Sequence, residues 1–467
     1  MKRIAFTTLG CKANWSDTEA LIQTLSFAGF QIVSFDTLAD IYVVNTCTVT
    51  ALADSQSRQM LRRAKRRSPD AHVVATGCYG EMSKDELASL KEVDRVFGTK
   101  DRKALVEYLF DLSGSSFPRG HPEGACSRRI PEVQRDAIVD APLDPQSRAR
   151  AFIKIQEGCD KSCTYCIIQM ARGKSKSLPL EEVTQLCLKL TQHHREIVLA
   201  GIDIGQYGKD LEDGTSLVTL LKKLTSEQGL ARLRLSSLAP NDISCEIIEL
   251  LATGNFCPHV HLSIQSCSDN VLQHMGRCYS ATDVKRAAGL LVQNIPGIAI
   301  TGDVIAGFPG ESEDDHKQTL DTLTALPLAG LHVFPFSARS RTLAAKMDGQ
   351  VPHDIKRRRA FEVRKVALSL RRRYLESLIG NSMDVIVTSK RPRDDGSVEG
   401  VAENGVHISL PKGVVPYGKM GKAIITDITE QNVRGIWESV QTKRQGSNSS
   451  KRHSDIALSA RNTSSAL

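Results

Sequence analysis

The stretch Phe152-Ile153-Lys154-Ile155-Gln156-Glu157-Gly158-Cys159-Asp160-Lys161-Ser162-Cys163-Thr164-Tyr165-Cys166 joins a strand-like run to three cysteines within eight residues. Five more strand-like runs follow, at Glu196–Ala200, Arg232–Ser236, Val260–Ile264, Ala299–Ile305 and Leu331–Pro335, with helical stretches between them. Strands alternating with helices imply a parallel sheet with right-handed crossovers. Six such units in a row predict a partial (βα)6 barrel, whose chemistry sits at the carboxyl ends of the strands. The three cysteines follow the first of those ends. Thiolates are the ligands that iron–sulfur clusters use, and three of them leave one iron open to a small molecule. A structural zinc is the rival reading, and it needs a fourth ligand. Asp160 is a poor fourth ligand, and no histidine lies near in sequence.

Before this unit, residues 1–111 repeat the alternation. Strands are expected at Ile4–Thr8, Ile41–Val44 and His72–Thr76, and Leu21, Ile22, Leu25 and Ala28 recur at helical spacing before Gly29. Each strand is followed by a cysteine: Cys11, Cys47 and Cys78. Ligands of an open parallel sheet bind outside the carboxyl ends of its strands, so these three can converge on a second cluster. The alternative is three unrelated core thiols, since cysteine is often buried.

Residues 112–148 are rich in proline and read as a linker to a radical-barrel segment at 149–350. A basic helical connector spans 351–380. Five short β-like runs at 381–440 predict a small closed barrel. The polar end, 441–467, reads as disordered. The fold class is therefore α/β with a C-terminal β-barrel.

Composition agrees with a soluble globular chain. Of 467 residues, 41% are hydrophobic and 24% charged, which excludes collagen-like and wholly disordered classes. No run approaches the roughly 18 apolar residues of a membrane span, and Met1–Phe6 has no apolar signal core. A cytoplasmic protein without a membrane partner is expected. Twelve cysteines in such a chain point to metal or catalytic sulfur before disulfides. The net charge of +8 conceals local extremes: residues 55–69, 351–375 and 441–467 together carry +17, leaving −9 elsewhere. Basic patches on an acidic body suggest a polyanion partner, against the plainer reading of solvated helix faces. Arg58, Arg62, Arg63, Lys356, Arg357, Arg358 and Arg359 are the expected phosphate contacts. The β-barrel segment, with seven basic and eight acidic residues, is expected to supply less.

The CxxxCxxC spacing with Tyr165 resembles the radical S-adenosylmethionine superfamily. With Cys11, Cys47 and Cys78 and the C-terminal barrel, the chain resembles the methylthiotransferase family from residue 1 to about 440. That family has a cluster domain, a radical domain and a small OB-like barrel called TRAM. Further matching strings are Ala171-Arg172-Gly173-Lys174-Ser175-Lys176-Ser177, Ile264-Gln265-Ser266, Gly307-Phe308-Pro309-Gly310-Glu311 and Phe334-Pro335-Phe336-Ser337. Thr8-Leu9-Gly10-Cys11-Lys12-Ala13-Asn14 with Asp17-Thr18-Glu19 is most similar to the branch acting on N6-threonylcarbamoyladenosine in tRNA. Other branches act on isopentenyladenosine or on a ribosomal-protein aspartate. An alternative from another class is a non-catalytic iron–sulfur RNA-binding or regulatory protein.

The resemblance implies two 4Fe-4S clusters and S-adenosylmethionine as cofactors. It implies an adenosyl radical made at Cys159, Cys163 and Cys166, and a methylthio group added at C2 of the adenosine 3′ of the anticodon. By the same resemblance Tyr165 lies against the adenine. Ser263, Gln265 and Asp303 fall near strand ends and are expected to line the cofactor pocket. The implied partners are a tRNA anticodon stem-loop and an electron donor such as a flavodoxin or ferredoxin. Two departures stand out: Ala239 where an acid is usual, and Cys267 where glycine is usual. Cys267 is expected to be buried and neutral. Cys126, Cys187, Cys245, Cys257 and Cys278 are expected to be structural, and His193, His194, His259 and His261 to be packing or surface residues.

Two clusters predict about eight iron atoms after anaerobic reconstitution. Replacing Cys159, Cys163 and Cys166 together with alanine should remove about half of that iron, as measured by colorimetric iron assay. Retention of all of it, or zinc in its place, contradicts the assignment.

Overall fold

The computed structural model of the chain describes residues 2–114, 149–253, 255–429 and 432–438. Most of the expected linker, the C-terminal tail and Cys126 lie outside the described residues.

The N-terminal domain is built on a parallel sheet of order β2-β1-β3-β4-β5. Its strands are β1 (Arg3–Thr8), β2 (Gln31–Val33), β3 (Ile41–Thr46), β4 (His72–Gly77) and β5 (Arg95–Val96). All six residues of β3 are buried, as expected of a central strand covered on both faces. Helices α1 (Lys12–Phe27) and α5 (Arg102–Ser113) share one apolar layer, in which Leu21 and Leu25 meet Leu105 and Leu109. Helix α2 (Ala51–Arg67) packs Leu61 and Ala64 on the other face. Short helices α3 (Cys78–Met82) and α4 (Lys84–Ala88) follow β4. The edge strands β2 and β5 are too short to be read from periodicity.

The central domain contains the six expected staves. β6 (Ala151–Lys154), β9 (Glu196–Ala200) and β10 (Arg232–Leu235) form one parallel stretch. β11 (Ser237–Leu238), β12 (His259–Gln265), β13 (Ala299–Ala306) and β14 (Gly330–Pro335) form the other. A bridge between Leu233 and Phe256 links the two. A small hairpin of β7 (Gln156–Glu157) and β8 (Lys176–Ser177) brackets the cysteine loop. β6 and β14 do not pair with each other, so the barrel has an open side.

The N-terminal domain is bonded to both edges of that opening. At the β6 edge, Lys154 Nζ meets Asp17 of α1 at 2.6 Å and Glu157 at 2.7 Å. Arg172 reaches Asp17 at 2.9 Å and Glu157 at 2.5 Å, and Arg102 of α5 also pairs with Asp17. Beyond β14, Arg339 pairs with Asp54 at 2.5 Å, and Ser337 Oγ accepts from the Ala51 amide at 3.0 Å.

The C-terminal strands β15 (Ser382–Val387), β16 (Ser397–Ala402), β17 (His407–Pro411), β18 (Met420–Ile428) and β19 (Val433–Trp437) close a barrel of order β15-β16-β17-β19-β18. Its seat beneath the central barrel is a buried cluster. Glu196, fully buried, accepts from Arg150 at 3.2 Å and from Arg232 and Arg234 at 2.8 Å each. Arg232 and Arg234 also donate to the main-chain oxygens of Asp384 (2.9 Å) and Glu403 (3.0 Å). The connector is one helix, His353–Glu376, whose Ala360, Val363, Ala367 and Leu370 face the core. Arg359 lies on that same buried stripe and pairs with Glu311 and Glu313 at 3.0 and 2.7 Å. This corrects the expectation that Arg359 contacts phosphate: its charge is used inside the fold.

Burial raises the Asp17 pKa, but Arg102, Lys154 and Arg172 outweigh it and hold the carboxyl well below the usual range. A depressed folded-state pKa adds stability above the unfolded value of about 4, and that stability is lost as pH falls toward the folded value. Asp17→Asn should therefore cost about 3–5 kcal/mol at pH 7, the loss typical of stripping one partner from a buried pair. Urea unfolding at pH 7 and then at falling pH tests this: the two proteins should differ at neutral pH and converge in acid.

Candidate active site

Cys11, Cys47 and Cys78 stand just past the carboxyl ends of β1, β3 and β4, three neighbouring strands. Neighbouring strands lie about 4.8 Å apart, so the sheet itself draws the thiols together. Gly10 permits the closest approach. It sits at φ +92, and a Cβ there would fall 2.8 Å from Cys47 Sγ. Cys78 Sγ lies 3.7 Å from Asn14 Oδ1, and Asn14 is pinned by donating to the Leu9 and Thr46 carbonyls at 2.8 and 3.0 Å.

Cys159, Cys163 and Cys166 lie on the loop after β7. Gly158, at φ +71, lets the loop run against Lys174, whose carbonyl would be 2.0 Å from any Cβ. The Cys159 amide donates to Gly173 O at 3.1 Å, and the Thr164 amide to Met275 O at 3.0 Å. Arg277 donates to Cys163 Sγ at 3.1 Å, and Lys161, paired with Asp203 at 2.9 Å, donates its amide to Cys159 Sγ at 3.4 Å.

The two sets meet. Cys78 and Met82 of α3 pack against Ile167 and Ala171, directly after Cys166. Arg172 also donates to Asn14 Oδ1 at 2.5 Å, so one guanidinium touches the surroundings of both sets. Burial pushes the free thiols of Cys47 and Cys159 up to about 12 and that of Cys166 up to about 11. Ligation must displace those protons.

The other expected site residues separate. Tyr165 packs edge-on against Phe308, centroids 6.3 Å apart, at the mouth of the barrel. Ser263 and Gln265 lie at the carboxyl end of β12. Gln265 has φ 63, the positive φ of a non-glycine among the described residues, at a register shift between β12 and β13. Such strain gathers at functional sites. Asp303 lies level with Ser263 on the neighbouring strand and pairs with His261 Nε2 at 3.1 Å. His261 is buried, as expected of a packing residue, and hydrogen-bonded on both ring nitrogens. Ala239 leaves its position without an acid, while Asp242 brings a carboxylate to 4.0 Å from Lys161. Cys267 is buried, and that burial raises its pKa to about 12, as expected of a neutral thiol.

Comparison with known proteins fits this geometry. Residues 3–98 match "Uncharacterized protein family UPF0004", and residues 153–323 match "Radical SAM superfamily". A threonylcarbamoyladenosine tRNA methylthiotransferase of Aquifex aeolicus is 38% identical over 82% of this chain and 92% of its own. The protein of that name in Bacillus subtilis is 36% identical over 91% and 94%. The chain belongs to this methylthiotransferase family. A tRNA-2-methylthio-N(6)-dimethylallyladenosine synthase of Clostridium novyi is similar at 28% identity over 93% and 96%. Among solved structures, the radical S-adenosylmethionine methyltransferase TsrM of Kitasatospora setae shares the fold, with TM-score 0.50 and 18% identity over 74% of this chain and 77% of its own.

Family members use S-adenosylmethionine and two iron–sulfur clusters, and the donor sets suit them. Among the described residues, ligand atoms within 4.8 Å of one another occur at His261, Asp303 and His332. Neither cysteine set is that tight, as expected of thiols that grip different irons of one cluster. Arg277, Arg172 and Lys161 stand close enough to offset thiolate charge.

The basic residues divide by partner. Arg58 pairs with Glu86 at 3.0 Å and with the Tyr79 hydroxyl, and Arg63 pairs with Asp36. Arg62 is exposed with no ion-pair partner among the described residues. Lys356 lies over the Phe336 ring. Arg358 pairs with Glu313 at 2.5 Å, and Arg357, Arg358 and Arg364 line a groove of about 560 Å³ with Asp354 and with Phe361, which is 56% exposed. No helix among the described residues is long and apolar enough to cross a membrane.

Sequence reasoning missed Arg277, Lys161, Asp203 and His261 as parts of the site. None of them has a spacing that marks it.

Hydrogen bonds to a cluster's sulfurs help set its potential. In the reconstituted protein, Arg277→Leu should shift the potential of the Cys163 cluster to a more negative value. Redox titration followed by electron paramagnetic resonance measures it, and an unchanged potential removes Arg277 from that role.

Proposed function

We propose that this chain adds a methylthio group to C2 of N6-threonylcarbamoyladenosine at the position 3′ of the tRNA anticodon. The observation that carries the reading is the meeting of two three-cysteine sets across one buried interface, Cys78 against Ile167. One set serves sulfur and methyl supply and the other radical generation, so both must face a single base. The relatives named for this substrate support the choice of modified adenosine.

In this reading Cys11, Cys47 and Cys78 hold one cluster, and Cys159, Cys163 and Cys166 hold the other. Bound there, the clusters supply sulfur and one-electron chemistry on S-adenosylmethionine. The chain does the rest. Tyr165, with Phe308 behind it, gives the adenine of S-adenosylmethionine an aromatic wall. Ser263 and Gln265 present polar groups at the adjoining strand end. The N-terminal domain, tied to both barrel edges, covers the open side of the barrel. The target base has to leave the stack of its loop to enter. Arg62 and the groove of Arg357, Arg358, Phe361 and Arg364 hold the RNA, the arginines on phosphate and the exposed ring on a base. A small electron-transfer protein such as a flavodoxin or ferredoxin supplies the reductant, and the reaction is placed in the cytoplasm with tRNA.

Nucleoside mass spectrometry of tRNA from a deletion strain tests the function. The methylthio form of N6-threonylcarbamoyladenosine should vanish and its unmodified precursor accumulate, with restoration by wild type and not by the Cys159/Cys163/Cys166 alanine variant. An unchanged profile defeats the proposal. Replacing both Arg357 and Arg364 with alanine should weaken stem-loop binding and make the slope of log affinity against log salt shallower by about one per lost phosphate contact.

A further inference from the structure

Side chains alternate along a strand, so His259, His261 and Ser263 form one column of β12 facing the barrel lumen, up to the register shift before Gln265. Thr301 and Asp303 do the same on β13, and Asp303 stands in register with His332 of β14. Below the strand ends, the lumen therefore holds a polar group. His261 is fixed by Thr301 Oγ1 at 2.8 Å and by Asp303 at 3.1 Å. The ligand atoms of His261, Asp303 and His332 all lie within 4.8 Å of one another, and the two histidine rings are 5.6 Å apart.

Lys12, from the other domain, stands within electrostatic range of this group. It opens α1, next to Cys11, where α1 lies beside the open edge of the barrel. Its ammonium is within electrostatic reach of Asp303, Glu196, Arg234 and Arg150, and His259 and His332 sense it in turn. It makes no hydrogen bond or ion pair among the described residues. Glu196 is already shared by three arginines, so it does not neutralise Lys12. A largely buried ammonium without a partner costs free energy until an anion meets it. The same positive charge disfavours a dication at the two histidines and Asp303.

This inference rests on the function proposed above. The threonylcarbamoyl substituent ends in a carboxylate and a secondary hydroxyl, which an isopentenyl group lacks. We propose that Lys12, His261, Asp303 and His332 form the pocket that receives the threonine end of the substrate's N6 substituent. Lys12 and a ring N–H of His332 donate to the carboxylate. Asp303, held by His261, accepts from the hydroxyl. With the base between the two cysteine sets, the substituent points down the lumen, and the pocket selects the modified adenosine by charge. These are specificity residues and take no part in bond making.

The test uses the holoprotein and three fluorescent anticodon stem-loops. They carry N6-threonylcarbamoyladenosine, its methyl ester or plain adenosine, and binding is read by anisotropy. Wild type should bind the free carboxylate at least about tenfold tighter than the ester, the loss expected when a charge-assisted hydrogen bond is removed. Lys12→Met should bind both nearly equally, with iron content and affinity for the plain loop unchanged. His332→Phe, remote in sequence from the cysteines, should lower the preference severalfold and decides the matter if Lys12→Met loses iron. Full preference retained in either iron-replete variant overturns the pocket. Wild type that discriminates but does not form the methylthio product would instead defeat the proposed reaction and leave the pocket standing.

Discussion

Two carboxylates and three cations hold this enzyme's geometry together. Asp17 and Glu157 are surrounded by Lys154, Arg172 and Arg102, and the five come from both sides of a domain boundary. Buried ion pairs are poor sources of net stability, because desolvation consumes much of the Coulomb gain. They are exacting about placement, since a sub-ångström shift leaves a charge unmatched. Here the placement that matters is between two cysteine sets on separate domains. Arg172 sits six residues after Cys166 and also bonds Asn14, which lies against Cys78. The charge cluster thus doubles as the ruler between the sites.

The barrel's open side explains why a second domain is needed there. A full barrel would close its own lumen with side chains. This one stops at six staves, and the N-terminal domain grips both free edges, through Asp17 at β6 and Asp54 beyond β14. The lumen is then shared property. Its walls come from β12, β13 and β14, while Lys12 stands within electrostatic range of them on the helix that starts beside Cys11.

Much of this was legible in the sequence. The six staves, the three N-terminal strand ends and the five barrel strands each follow local periodicity, and both cysteine sets follow strand ends. What escaped depends on facing rather than spacing. Arg359 belongs to a dense basic run, yet Ala360, Val363, Ala367 and Leu370 put it on the buried stripe of its helix, a face that counting charges ignores. His261 and His332 lie in different strands 71 residues apart, and only the parallel register brings them together. Gln265 at positive φ has no sequence mark, since glutamine is not a residue that favours that region. Arg277 reaches Cys163 from a loop 114 residues away.

The seat of the C-terminal barrel has a consequence for how such chains diversify. Arg232 and Arg234 grip it chiefly by main-chain oxygens, those of Asp384, Val401, Ala402 and Glu403. A joint that reads backbone is nearly blind to side-chain identity. The outer surface of the barrel is then free to drift while its attachment to the catalytic body stays constant. Exchanging barrels between relatives amounts to changing a tool bit in a fixed chuck.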